Sequence, residues 1–376
     1  MTAMSIRALR PVLALVVLAA ATAAGITVGV GSAEASAPAV TITSMSGKTY
    51  TPKAVNGATD DYHCTLVDPH ITKAAYIVSS QFFPNSAEVH HAILSLVTPE
   101  QAKTARQADH GGKGWTCFGE SALPSGQFSN PFANTGWLTV WVPGQKLDAE
   151  PLGTGMLLPA GSLLIEQIHY NLLRGDKPVH ASIKLHTVPK SAHLKPLAIQ
   201  LRLAAPDVPC PAGITGPLCS RPAALADLGK RFGARAVAEN QGIEFLCGRN
   251  PADPPAGVST TCVQKAEPGW KILRITPHMH LTGAAMTVTL NPGTPKAKVL
   301  VDSPRYNFDN QRFYNLKTPV VTQPGDTIGV TCTYDPKLRQ ELPQLRKQPA
   351  RYVIWGDGSS DEMCLAIMQS VPDAPA

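Results

Sequence analysis

Proline and glycine interrupt this chain so often that long helices have little room in it. There are 34 Pro and 30 Gly in 376 residues, and short runs rich in β-branched and aromatic side chains lie between them. Before residue 203 these runs are Ala74–Ser80, Glu88–Val97, Trp137–Val142, Leu163–Asn171 and Ala181–Val188. After residue 262 they are Trp270–Ile275, Ala285–Leu290, Lys298–Asp302, Thr327–Tyr334 and Tyr352–Trp355, with a last run reaching Met368. Short apolar runs bounded by turn formers read as strands. No repeat of fixed short period is present.

The style changes between Ala204 and Cys262. Pro- and Gly-rich text with four cysteines brackets one helical stretch, Arg221 to Glu239, where Ala, Leu, Lys and Arg concentrate. The expected fold is all-β: two antiparallel β-sandwich domains, 38–203 and 263–376. Segment 204–262 is then a small helical, Cys-containing insertion near the domain junction.

Residues 1–37 read as a signal peptide. Arg7 and Arg10 precede an apolar run, Pro11 to Ala24, that is short for a membrane span. Ala33-Glu34-Ala35 and Ala35-Ser36-Ala37 both offer the small-x-small pattern cut on export, so cleavage is expected near Ala35 or Ala37. A secreted, extracytoplasmic protein with no membrane span after cleavage is the expectation. Eight cysteines, an even number, fit an oxidising compartment. They fall as Cys64 and Cys117; Cys210, Cys219, Cys247 and Cys262; Cys332 and Cys364. The middle four allow three pairings, of which Cys210–Cys219 with Cys247–Cys262 is favoured. No C-x-x-C is present, which argues against a zinc ribbon or a thioredoxin-type pair.

Net charge is +6, about +5 once the leader is removed. No basic block is dense enough for a nucleic-acid groove. G-x-S-x-G, H-E-x-x-H, P-loop and dinucleotide fingerprints are all absent.

The chemistry lies in the histidines. His90-His91 sits inside the apolar run Val89–Val97. Neighbours on a strand point to opposite faces, so this pair is hard to satisfy by packing alone. A metal at the strand end could take both, with His169, apolar-flanked and late on its own strand, as third ligand. The competing reading is one buried and one surface histidine. His278-Met279-His280 places two imidazoles on one strand face, a two-point chelate that also occurs innocently. Further on, Asp361-Glu362-Met363-Cys364 brings a thioether into acidic text. A thioether suits Cu(I), so a His2Met set would indicate redox copper; Met286 and Met368 read as core filler. His63, His70, His110, His180, His186 and His193 share no convergent spacing and read as ordinary polar positions.

Taken in order, His90-His91, Gln167-Ile168-His169-Tyr170, His278-Met279-His280-Leu281-Thr282-Gly283 and Asp361-Glu362-Met363-Cys364 resemble the copper type II, ascorbate-dependent monooxygenases. The family includes peptidylglycine α-hydroxylating and dopamine β-monooxygenases. The motifs span nearly the whole mature chain. The resemblance implies two jelly-roll-like domains and two coppers. An electron-transfer copper would take His90, His91 and His169, and the O2- and substrate-binding copper would take His278, His280 and Met363. It also implies a Cys332–Cys364 bridge beside the methionine, and a hydrogen-bonding role for Gln167 near the first copper. Implied too are ascorbate as reductant, with O2 and a small molecule as substrates. In the peptide-amidating branch an Arg two residues before H-x-H holds the substrate carboxylate. An Asn two residues after the copper-ligating Met and a Tyr four after it complete the clamp. The same offsets here give Thr276, Leu365 and Ile367. The rival expectations are an extracellular copper carrier using the same ligands without turnover and, behind it, a surface-binding β module.

Overall fold

The computed structural model describes residues 39–97, 101–118 and 136–373; the expected signal peptide lies outside them. The protein is mostly β, as expected, and its strands form four larger sheets and one two-stranded ribbon. In the N-terminal half, a five-stranded sheet runs in the order Trp115–Thr116, Asp60–Val67, Leu163–Asn171, Val89–Val97, Trp137–Trp141. A six-stranded sheet that includes Ala75–Phe83 and Ser182–Pro189 shares an apolar core with it, through Ile77, Leu185, Leu94, Leu164 and Ile168. In the C-terminal half, Ser259–Lys265, Thr327–Tyr334, Gly283–Leu290 and Lys298–Ser303 form one sheet. The other runs Ala198–Leu203, Leu365–Pro372, Trp270–His278, Tyr314–Val321. Jelly-roll connectivity remains an expectation from the resemblance.

The last of these sheets is covered on both faces. One face, with Ile272, Ile275, Ala366 and Met368, packs on Met286, Val288 and Val330. The other, with Ile199, Leu201, Leu365 and Ile367, joins the core of the N-terminal half. Every residue of Ala198–Leu203, and all but the last of Leu365–Pro372, is accordingly buried. This places the end of the Trp270–His278 strand against the N-terminal half.

The helical insertion departs from the single helix read in the sequence. Arg221–Phe232 and Ala234–Leu246 are separate helices, broken at Gly233. Gly233 has φ +88°, a conformation other residues rarely adopt, so the first helix must end there. Ser220 caps the first helix by accepting from the Ala223 amide. Leu228 and Phe232 pack on Tyr352 and Ile354, just before the loop that carries Met363. All eight cysteines are paired: Cys64–Cys117, Cys210–Cys219, Cys247–Cys262 and Cys332–Cys364. Both pairings favoured for the insertion are present. Among the described residues no helix is long and apolar enough to cross a membrane.

One carboxyl in the N-terminal core gives a pH-dependent expectation. Glu166 shares the Leu163–Asn171 strand and is 5% exposed, and burial pushes its pKa up to about 7. The native state therefore keeps a proton that the unfolded chain releases from about pH 4.3 upward. Stability should fall between that pH and about 7, and stay reduced above it. Glu166→Gln should add about 3 kcal/mol at pH 8 and almost nothing at pH 4, read from urea midpoints. Equal shifts at both pH values would contradict this.

Candidate metal centre

Alternation along one strand separates core from site. On Leu163–Asn171, Leu164, Ile168 and Tyr170 enter the N-terminal core, whereas His169 turns to the other face with Gln167. The His90-His91 problem is solved by a bulge. Val89 lies opposite Tyr170 and His91 opposite His169, so His90 is the extra residue. A bulge re-aims the side chains around it, and the two rings come to 5.3 Å between centroids. His90 stacks on Phe308 at 4.1 Å, and His169 stacks on Tyr62 at 4.0 Å.

From the C-terminal half, His278 ends its strand and His280 lies in the turn before Gly283–Leu290. The turn is tight. A side chain at Gly283 would meet the Met279 Cβ at 2.6 Å, so only glycine lets Met279 bury itself there. Fully buried Glu362 holds the turn to the Met363 loop. It accepts from the His280 amide at 2.9 Å, the Thr282 amide at 2.6 Å and the Thr282 hydroxyl at 2.7 Å.

The sequence reading expected two separate triads, but the structure brings all five histidines into one cluster. His91–His169 centroids are 4.7 Å apart, His90–His169 5.0 Å, His278–His280 5.4 Å, His91–His278 5.7 Å and His90–His278 5.9 Å. The ligand atoms of His90, His278 and His280 lie within 4.8 Å of one another, a triad drawn from both halves. The physical reason is the doubly covered sheet, whose inward face carries His278 toward the His90 strand.

Burial holds the imidazoles of His90, His91, His278 and His280 neutral. His278 sits at about 4 and His280 at about 3, while His90 and His91 fall well below the usual range; neighbouring imidazoles add to the effect. Neutral imidazole is the form that binds metals. His90 Nε2, His91 Nδ1, His169 Nδ1 and both ring nitrogens of His280 are buried with no protein hydrogen-bond partner. Leaving such atoms unpaired costs about 1–3 kcal/mol each. Unpaired ring nitrogens on four neighbouring histidines fit a metal that accepts imidazole, and copper is among them.

Around the cluster stand residues that sequence reasoning missed. The Gln311 side-chain nitrogen donates to the Phe308 carbonyl, which turns its oxygen to His278 Nδ1 at 2.9 Å. His278 Nε2 is thereby left as the free ligand atom. Asp60 bonds His169 Nε2 at 2.9 Å. Gln167 donates to the Cys117 carbonyl at 3.1 Å, beside the Cys64–Cys117 bridge. Met363 is 8% exposed and packs into the N-terminal core. The other histidines lie elsewhere: His63 stacks on Tyr50, His186 bonds Ser79 and His180 bonds Ser46.

The Cys332–Cys364 bridge is present next to Met363. It closes a 32-residue separation, a loop whose cross-link contributes about 3–4 kcal/mol. In the double variant Cys332→Ser, Cys364→Ser, copper held by this segment should loosen about tenfold at a temperature where circular dichroism still reports a folded protein. Peptide mapping that finds either thiol free in the parent would overturn the assignment.

Residues 251–370 match the family model described as copper type II ascorbate-dependent monooxygenase, C-terminal domain. MOXD1 homolog 1 of Drosophila melanogaster is 26% identical over 117 residues, which are 31% of this chain and 15% of that protein. The chain thus aligns with a small part of that relative's length. Among solved structures, an allantoicase is 11% identical with a TM-score of 0.19, covering 82% of this chain and 81% of its own. A recombinant N-glycanase F is 9% identical with a TM-score of 0.30, covering 89% and 97%. Likeness that low carries no argument.

Proposed function

We propose, from the premise that the chain belongs through residues 251–370 to the copper type II ascorbate-dependent monooxygenase family, that it is a secreted enzyme hydroxylating a C–H bond of a small molecule with O2 and ascorbate. The observation that carries this reading is the buried five-histidine cluster, four of whose rings have a nitrogen without a protein partner. His90, His91, His169, His278, His280 and Met363 are the proposed copper ligands; the resemblance divides them into two sets of three, although the five imidazoles meet in one cluster and His90 lies within reach of His278 and His280. Bound copper would supply the one-electron chemistry and the activation of O2. The chain's part is to present neutral imidazoles, fix their ring orientation and exclude bulk water. Glu362 keeps Met363 and the His278-Met279-His280 turn in register. The division into two jelly-roll-like copper domains around the insertion is part of the same proposal.

The test is oxygen uptake by the copper-loaded protein with ascorbate and a panel of small amines, acids and peptides. Hydroxylated product in step with oxygen consumed supports the enzyme. Tight, stoichiometric copper with no turnover across the panel would favour the carrier.

Glycine-extended peptides should not be substrates. Thr276, Leu365 and Ile367 occupy the positions of the carboxylate clamp and carry no charge. The nearby cation Arg274 is already committed. Its guanidinium bonds Asp148 at 2.9 Å, the Ala149 carbonyl at 2.9 Å and Glu150 at 2.8 Å, and also holds Gln369. A buried peptide carboxylate would lose its hydration at a cost of several kcal/mol or more. Expected α-hydroxyglycine is at background; efficient formation would restore the amidating reading.

A further inference from the structure

Asp60 is completely buried, at 0% exposure, and its hydrogen bonds come from His169, Ser359 and Thr59 rather than from a lysine or arginine. A lone carboxylate in such a place is costly unless its lone pairs are filled. They are filled from three directions. His169 Nε2 lies 2.9 Å from Oδ1, and the amide and hydroxyl of Ser359 donate to the same oxygen at 3.0 and 2.6 Å. The Thr59 hydroxyl donates to Oδ2 at 2.8 Å.

Strand register explains the first contact. Asp60 pairs with Asn171 and Tyr62 with His169, so Asp60 and His169 are diagonal neighbours on one face of the sheet. Tyr62, stacked on the His169 ring, donates its hydroxyl to the Asp357 carbonyl at 2.8 Å. Strand Asp60–Val67 therefore grips His169 on one side and loop residues 357 and 359 on the other. That loop runs on into Glu362 and Met363.

An ionised carboxylate accepts and cannot donate, so the hydrogen between it and His169 belongs to Nε2. The Nδ1 atom, buried and without a protein partner, is then the bare nitrogen facing the cluster. We propose that Asp60 is a positioning residue for His169, fixing its tautomer and ring direction. Ser359, on the loop that runs on to Met363, donates to the same carboxylate oxygen and helps to hold it in place. The relevance to copper rests on the reading of the cluster given above, whereas the tautomer does not.

The experiment begins with the full chain stripped of metal and labelled with 15N-histidine, His169→Ala serving to assign the signal. The expected parent spectrum has His169 protonated at Nε2 and bare at Nδ1. Asp60→Ala should turn this into a mixture of tautomers, and Ser359→Ala should leave it unchanged. Asp60→Asn keeps an acceptor but removes the charge, and should weaken copper about ten- to hundredfold with an altered Cu(II) electron paramagnetic resonance spectrum. A parent spectrum with Nδ1 protonated overturns the proposal without any variant. So does Asp60→Asn that binds copper as tightly as the parent with an unchanged spectrum. A parent that shows the expected tautomer yet binds no copper supports the positioning role and defeats the copper reading alone.

Discussion

Met363→Ile should bring the proposed ascorbate-dependent hydroxylation to background while the protein stays folded. Isoleucine roughly conserves the volume that Met363 places in the N-terminal core, and such swaps usually cost less than about 1.5 kcal/mol. What disappears is the thioether, the soft donor suited to Cu(I). X-ray absorption of the reduced, copper-loaded protein should show a sulfur scatterer in the parent and none in the variant. Met279, Met286 and Met368 are poorly placed to substitute, because all three belong to the C-terminal core on the far face of the shared sheet. A sulfur signal that survives would remove Met363 from the ligand set.

Arg231→Met should destabilise the protein by about 2–3 kcal/mol, because two buried charge-assisted hydrogen bonds to Asp361 are lost while Arg351 still pairs with that carboxylate. Arg231 makes a two-pronged contact with Asp361, 2.7 Å on each branch, and its side chain is 5% exposed against 1% for the carboxylate. The pair ties the first helix of the insertion to the residue two before Met363. Arg351 shares Asp361 at 2.9 Å, and with Arg231 it holds the Asp361 carboxyl down at about 2 despite burial. A double-mutant cycle with Asp361→Asn, followed by urea unfolding, isolates the pair. A coupling energy near zero would mean that the insertion does not hold this loop.

Much of this architecture can be read from the residues before any coordinates. Leu163–Asn171 and Thr327–Tyr334 have the bounds their β-branched runs and flanking turn formers imply. Asp60–Val67 escapes notice because Asp60, Asp61 and His63 mask it, although Tyr62, Cys64 and Leu66 alternate as a half-buried strand should. The five histidines are visible as motifs, yet their joining is not. It depends on a bulge at His90 and on which face of a remote sheet meets the N-terminal half. Asp60, Phe308 and Gln311 are silent in the text for the same reason: each acts on a histidine at least 33 residues away, with no local pattern to mark it. Glu362 is a partial exception, since an acid beside Met363 in apolar surroundings needs donors, and the turn after His280 supplies them.

The doubly covered sheet bears on how such a chain can change over generations. Two modules, each with a private core, can be duplicated, exchanged or split between genes without harm to either. Here Leu201 and Ile367 face one core while Ala366 and Met368, on the same sheet, face the other. Deleting either half would strip one side of that sheet and leave its apolar face to water. Neither half should therefore fold without the other, and a substitution in one should be tolerated only where it fits the other.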